Sequence, residues 1–171
     1  MDNHTPMQTS HAKTILVVDD DPSTRLICLK TLRAEGFTAL EAEGSSESLK
    51  ILATHPEPID LLLTDLMLTP PSLQFSATEN PYPRVHGHEI IQRTLAMKKM
   101  FRVILMSSLS EQQRKEHRRV TDHVPFVPFL QKPFSVETMM QLVHEVLEAD
   151  PLYYDESATE SIAKQDVQWY G

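Results

Sequence analysis

The sequence predicts an α/β protein: one open parallel sheet of five strands, with helices on both faces and right-handed crossovers. Three observations carry this. Short apolar runs suited to strands alternate five times with stretches of helical periodicity between residues 14 and 147. Two of these runs, Ile15 to Val18 and Ile59 to Leu66, show little alternation of apolar and polar residues, as in strands buried on both faces. Both also arrive at acids: the first stops at Asp19-Asp20-Asp21, and the second carries Asp65 at its end. In open parallel sheets, ligands and chemistry collect at the carboxyl ends of the strands, so acids there are more than solvated strand ends.

The elements follow in order. Residues 1–13 are polar without an apolar core and are expected to be a disordered N-terminal segment. The first strand is expected over 14–18. Asp21 then caps a helix over 22–35, Pro22 suits its first position, and Gly36 ends it. Phe37 to Glu41 reads as a short strand. Gly44-Ser45-Ser46-Glu47 opens a second helix to about Thr54, which His55-Pro56-Glu57-Pro58 breaks. The third strand delivers Asp65. After Leu68, Pro70, Pro71, Pro81 and Pro83 make a proline-rich insertion over 69–86, either functional or a tolerated loop, since closure entropy rises slowly with length.

Order resumes at Gly87 with a helix to about Lys99, and the fourth strand, Arg102 to Met106, runs into Ser107-Ser108. A charged helix is expected from Ser110 to Val120, and a fifth strand from Val124 to Leu130, closed by Lys132-Pro133. The last helix, Val136 to Leu147, spaces Met139, Met140, Val143, Val146 and Leu147 for a core face. One domain therefore spans 14–149, and 150–171 forms a C-terminal tail. The tail has a weak helical pattern from Glu156 to Trp169, and Tyr153, Tyr154, Trp169 and Tyr170 are its candidate anchors to the body or to a partner.

With 171 residues, 40% hydrophobic and 23% charged, the chain has the composition of a globular protein with a full core. A formal net charge of −8 argues against nucleic-acid binding, which draws on clustered Lys and Arg. The single cysteine, Cys28, has no partner for a disulfide and is expected to be a buried structural thiol in a reducing compartment. There is no signal peptide pattern and no apolar run long enough to span a membrane, so a cytoplasmic location is expected.

Five parallel strands bring Asp19, Asp20 and Asp65 to one sheet edge, joined there by Ser107 and Lys132. Like charges about 4 Å apart repel by roughly 4 kcal/mol at an effective dielectric near 20, so such acids need a cation or raised pKa values. A hard divalent ion, Mg2+, meets that need with oxygen ligands and retained waters. A carboxylate to attack phosphorus, a metal and a lysine to offset charge, and a hydroxyl donor together suit phosphoryl transfer.

The stretches ILVVDDDPSTR, LLLTDLML, VILMSS and FLQKPF, in this order and spacing, resemble the receiver domain of two-component response regulators across residues 14–148. The resemblance implies a flavodoxin-like (βα)5 fold with strand order 2-1-3-4-5. It implies that Asp65 accepts a phosphoryl group from a sensor histidine kinase or a histidine phosphotransfer protein. Asp19 and Asp20 match the acidic pair that holds Mg2+, Asp20 as direct ligand, with Asp65 and the backbone carbonyl of Met67 completing the protein's share. Ser107 matches the switch hydroxyl, Phe129 the switch aromatic, and Lys132 the family lysine, followed by a cis bond to Pro133. The implied output is a switch in binding to an unknown downstream protein, with no DNA-binding domain. Beyond self-catalysed phosphotransfer and slow autodephosphorylation, no enzyme activity is implied. The face formed by the fourth helix, fifth strand and fifth helix is the usual output surface and a candidate homodimer interface.

Departures from the family are specific. Its short loop M-x-P-x-M-x-G is replaced by the insertion 69–86, after which Gly87 matches the glycine. His86 and His88 beside it read as solvated rather than metal-binding. The segment before the fifth strand has His123, Pro125 and Pro128 in place of a Gly-Ala turn. Three other readings fit less well. A flavodoxin-like cofactor binder shares the strand order but needs a hydroxyl- or glycine-rich phosphate loop after the first strand, where Asp19-Asp20-Asp21 would repel phosphate. A haloacid-dehalogenase-like phosphatase needs an acid two residues after its nucleophile, where this chain has Met67. A degenerate receiver acting as a phosphorylation-independent adaptor is compatible with the insertion but leaves the acid, Ser and Lys set without a use.

Overall fold

The computed structural model describes residues 12–68, 87–98, 100–110 and 127–153. The elements are β1 (Thr14–Val18), α1 (Pro22–Ala34), β2 (Thr38–Ala42), α2 (Ser45–Thr54), β3 (Leu61–Asp65), α3 (Gly87–Lys98), β4 (Met100–Phe101), β5 (Val103–Ser107), β6 (Phe129–Gln131), α4 (Val136–Glu148) and β7 (Leu152–Tyr153). Five strands form one sheet in the order β2-β1-β3-β5-β6, all parallel. Numbered among themselves, these strands have the predicted order 2-1-3-4-5 of the flavodoxin-like fold.

The central strands β1, β3 and β5 are buried along their whole length, as their unbroken apolar runs require. Side chains alternate between the two faces of the sheet. On one face Ile15, Val17, Leu63, Ile104 and Met106 pack with Cys28, Leu29 and Leu32 of α1 and with Met139, Met140, Val143 and Val146 of α4. On the other, Leu16, Val18, Leu62, Val103 and Leu105 pack with Leu49 and Leu52 of α2 and with Ile90 and Ile91 of α3. Cys28 is fully buried, and burial pushes its thiol up to about 12, so it is the structural thiol expected. Among the described residues, no helix is long and apolar enough to cross a membrane.

Punctuation works locally as the sequence implies. Asp21 accepts from Ser23 N and Thr24 N to cap α1, with Pro22 at its first position, and Gly36 follows its end at φ 87°, where a side chain would be strained. Ser135 caps α4 by accepting from Thr138 N at 3.1 Å.

Three differences from expectation have physical causes. β2 and β5 each run one residue later than predicted, at 38–42 and 103–107. The last sheet strand is Phe129–Gln131 and leaves out Val127 and Pro128 of the expected 124–130, of which 124–126 lie outside the described residues. Pro128 has a carbonyl that accepts from Leu105 N at 2.9 Å, but it has no N–H to extend the ladder. The chain after α4 is not solely a trailing tail: β7 pairs antiparallel with β4, Met100 opposite Tyr153 and Phe101 opposite Leu152. Arg102 Nε adds a bond to Ala149 O at 3.0 Å, beyond the end of α4. Residues 1–11 of the expected segment 1–13, the insertion 69–86, all but Ser110 of the helix expected over 110–120 and the tail beyond 153 lie outside the described residues.

Candidate functional site

The site forms where β1, β3 and β5 end together. β1 and β3 pair with Val18 opposite Thr64, so the next residues, Asp19 and Asp65, emerge side by side. β5 lies on the other side of β3 with Met106 opposite Asp65, which puts Ser107 one step farther along the same edge. Lys132 N donates to Ser107 O at 2.8 Å, fixing the residue after β6 against this edge.

Lys132 unites the acids. Its Nζ lies 2.6 Å from Asp19 Oδ2 and 2.7 Å from Asp65 Oδ2, across 113 and 67 residues of sequence. Asp19 is 0% exposed and Asp65 8%. The remaining oxygens are also engaged: Asp19 Oδ1 accepts from Asp21 N at 3.0 Å, and Asp65 Oδ1 from Met67 N at 2.9 Å. Burial pushes the Asp19 carboxyl up, only partly opposed by the Lys132 ammonium and the Asp21 N–H. For Lys132, burial pulls the pKa down, but the hydrogen bonds it donates to Asp19 and Asp65 and the charge of those carboxylates outweigh it, and the net shift is upward. The lysine therefore stays an ammonium at neutral pH.

Asp20 completes an acidic triad. One carboxylate oxygen from each of Asp19, Asp20 and Asp65 falls within 4.8 Å of the others. Three carboxylates against the one ammonium of Lys132 leave the edge negative, and three hard oxygen donors fit a Mg2+ ion better than a soft metal. Asp21, the third acid of the run, serves differently: the Thr24 hydroxyl and the N–H groups of Ser23 and Thr24 hold its carboxyl below the usual range, as a helix cap.

The other predicted residues surround this centre. Ser107 is 1% exposed, and its Oγ accepts from Leu109 N at 3.0 Å. Phe129 sits opposite Leu105 and is half-buried against the core face of α2 and α3. Met67 is 44% exposed, and no acid stands there to serve a phosphatase. The Lys132-Pro133 bond is cis. His86 lies outside the described residues.

Two residues were not given their place by sequence reasoning. Gly87 opens α3 so close to β3 that a Cβ would fall into the carbonyl of Asp65 and against Leu66, and its N–H donates to Leu66 O at 3.2 Å. The sequence marks it as a loop glycine, but only the fold shows the backbone contact that demands it. Arg25 donates from its guanidinium to Asp19 O at 2.6 Å. Its signal was a cation one turn into the helix that follows the acids.

No family model matches the chain. The sporulation initiation phosphotransferase F of Bacillus subtilis is 26% identical over 137 residues, 78% of this chain and 92% of that protein. The sensor kinase CckA of Brucella abortus is 22% identical over 139 residues, 81% of this chain, and the match spans 13% of the kinase's length. The Vibrio cholerae chemotaxis protein CheY4 superimposes with a TM-score of 0.60 at 20% identity, covering 80% of this chain and 99% of that one. The chain thus has the fold of response-regulator receiver domains. The triad described above lies at the carboxyl edge of the sheet, where ligands of this topology gather. A cleft beside it is lined by Thr24, Ile27, Ser108, Lys132, Pro133 and Phe134.

Proposed function

We propose that this receiver is a phosphorylation switch of a two-component or phosphorelay system, with Asp65 as phosphoacceptor. The observation that carries the reading is the Lys132 ammonium bridging Asp19 and Asp65 within a triad of oxygen donors. The donor is a phosphohistidine on a sensor kinase or phosphotransfer protein. An Asp65 carboxylate oxygen forms the new bond to phosphorus, the P–N bond breaks, and its electron pair stays on the departing imidazole. Lys132, held between the two carboxylates, offsets charge on the transferred phosphoryl oxygens. Asp20, Asp65 and the Met67 carbonyl are the groups that would hold Mg2+, with Asp19 supporting them. The ion, when bound, adds positive charge where the phosphoryl oxygens gather.

Ser107 suits the switch. A hydroxyl that accepts from Leu109 N keeps its own proton to donate to a phosphoryl oxygen. Moving it empties space beside β6, into which Phe129 turns, and the output face around β6 and α4 changes for a downstream protein or a second copy. Leu26 and Ile27, 51% and 52% exposed on α1 next to the site, offer the histidine-bearing partner an apolar footing.

The test is incubation with Mg2+ and acetyl phosphate followed by intact mass, on the native chain and on Asp65→Ala. One added phosphoryl group that requires both Mg2+ and Asp65 is expected. No addition to a folded, Mg2+-binding protein would instead favour an adaptor that works without phosphorylation.

A further inference from the structure

We infer that Arg25 is a positioning residue for the metal site, acting through the peptide that joins Asp19 to Asp20; this rests on the phosphoacceptor reading above. The contact is to main chain rather than to a carboxylate: Nη1 donates to the Asp19 carbonyl at 2.6 Å, a short bond of the charge-assisted kind. That carbonyl and the Asp20 N–H belong to one planar peptide unit. Holding the oxygen therefore sets the plane from which the Asp20 side chain departs toward the triad.

The Arg25 bond is shorter than two others that bear on this turn. The β1–β2 ladder weakens at its end, where Asp19 N reaches Ala42 O only at 3.3 Å. The Asp19 carboxylate takes Asp21 N, which orders the residue after Asp20 but not the peptide before it. Arg25 is itself anchored. Its backbone N–H donates to Asp21 O at 3.1 Å in the first turn of α1, its side chain is 17% exposed, and Nε lies 3.4 Å from Glu41 Oε2 at the end of β2. The guanidinium thus ties the acidic turn to the start of α1 and, more weakly, to β2.

An arginine bonded to the backbone of one member of an acidic triad also has an obvious alternative use, as a counter-charge competing with the metal. The structure favours positioning. Both carboxylate oxygens of Asp19 are taken by Asp21 N and Lys132, and the guanidinium's short bond goes to the carbonyl.

The experiment is calorimetric titration of the metal-free full chain with Mg2+, for the native protein, Arg25→Met and Arg25→Lys, with thermal unfolding of each in the absence of the ion. Met keeps the apolar stem and its packing, so the variant folds; Lys restores a cation able to reach the carbonyl. Arg25→Met is expected to bind Mg2+ roughly tenfold more weakly, as groups that orient metal ligands typically do when removed, and Arg25→Lys to recover most of that loss. A merely structural arginine would lower the unfolding midpoint of Arg25→Met and leave its Mg2+ affinity at the native value, which overturns the inference. A loss that Arg25→Lys does not reduce overturns it too, because a donor at the carbonyl would then be irrelevant. A native chain that fails to bind Mg2+ overturns the phosphoacceptor reading, and the role of Arg25 with it.

Discussion

Replacing Lys132 by Met keeps most of the side chain's volume and removes its ammonium. Asp19 and Asp65, with side chains 0% and 11% exposed, would then face each other without the cation that now lies 2.6 and 2.7 Å away. Removing one partner of a buried ion pair costs about 3 to 5 kcal/mol. Because the Lys132 side chain is 17% exposed, water reaches the gap and the lower end applies, about 3 kcal/mol. At roughly 2 to 4 °C per kcal/mol for a chain of this size, the midpoint should fall by roughly 6 to 12 °C near neutral pH in the absence of divalent ions. The loss depends on pH with a definite sign. Burial already raises Asp19 from its ordinary 3.8, and losing Lys132 raises it further. A carboxyl with a raised folded pKa binds its proton more readily folded than unfolded, so the stability it contributes is present at low pH and lost as pH rises through the folded value. The deficit of Lys132→Met relative to the native chain should therefore be small near pH 4 and full near pH 7.5, and Mg2+ should restore more stability to the variant than to the native chain. Thermal unfolding followed by circular dichroism at both pH values, with and without Mg2+, measures this. An equal deficit at both pH values would refute the electrostatic reasoning and leave only lost packing.

Other consequences follow from the same site. Gly87→Ala forces a Cβ against the Asp65 carbonyl, an overpacking that typically costs about 1 to 3 kcal/mol. Its unfolding midpoint and its rate of labelling by acetyl phosphate should both drop; native values for both would mean that α3 can draw back without cost. Exposed Met67 and half-buried Leu109 follow Asp65 and Ser107 by two residues each, and neither side chain can orient a water by hydrogen bonding. The phosphoryl group should therefore persist, and Met67→Asn should shorten its lifetime severalfold by intact mass; an unchanged or longer lifetime would count against shielding. Above about pH 10.5 the raised pKa of Lys132 predicts that its contribution to stability disappears, and this alkaline loss should be missing in Lys132→Met.

Much of the architecture is legible because burial dictates residue type. β1, β3 and β5 are buried throughout, so their unbroken apolar runs name them, and the acids that interrupt those runs name the site edge. Parallel topology then predicts the meeting of Asp19, Asp65 and Ser107, since strand ends in such a sheet lie together. Lys132 was placed by its position after the last strand. What sequence does not encode is orientation at the scale of one bond. Arg25 reads as any surface cation until its guanidinium is seen on a backbone carbonyl. Gly87 reads as a loop glycine until the Asp65 carbonyl is seen where its side chain would be. The β4–β7 pair joins segments about 50 residues apart through two residues each, too short for any periodicity. At β6 the apolar run misleads in the other direction, because it continues into Val127-Pro128, where Pro128 has no N–H for the ladder and the strand has not begun.

The most direct measurement takes the acetyl-phosphate-treated protein, reduces it with borohydride, and maps the modified residue by peptide mass, since an aspartyl phosphate is converted to homoserine while a serine phosphate is untouched. Homoserine is expected at position 65 alone, formed only when Mg2+ was present during labelling. Reduction at position 19 or 20, or a borohydride-resistant phosphate on Ser107, would contradict Asp65 as phosphoacceptor.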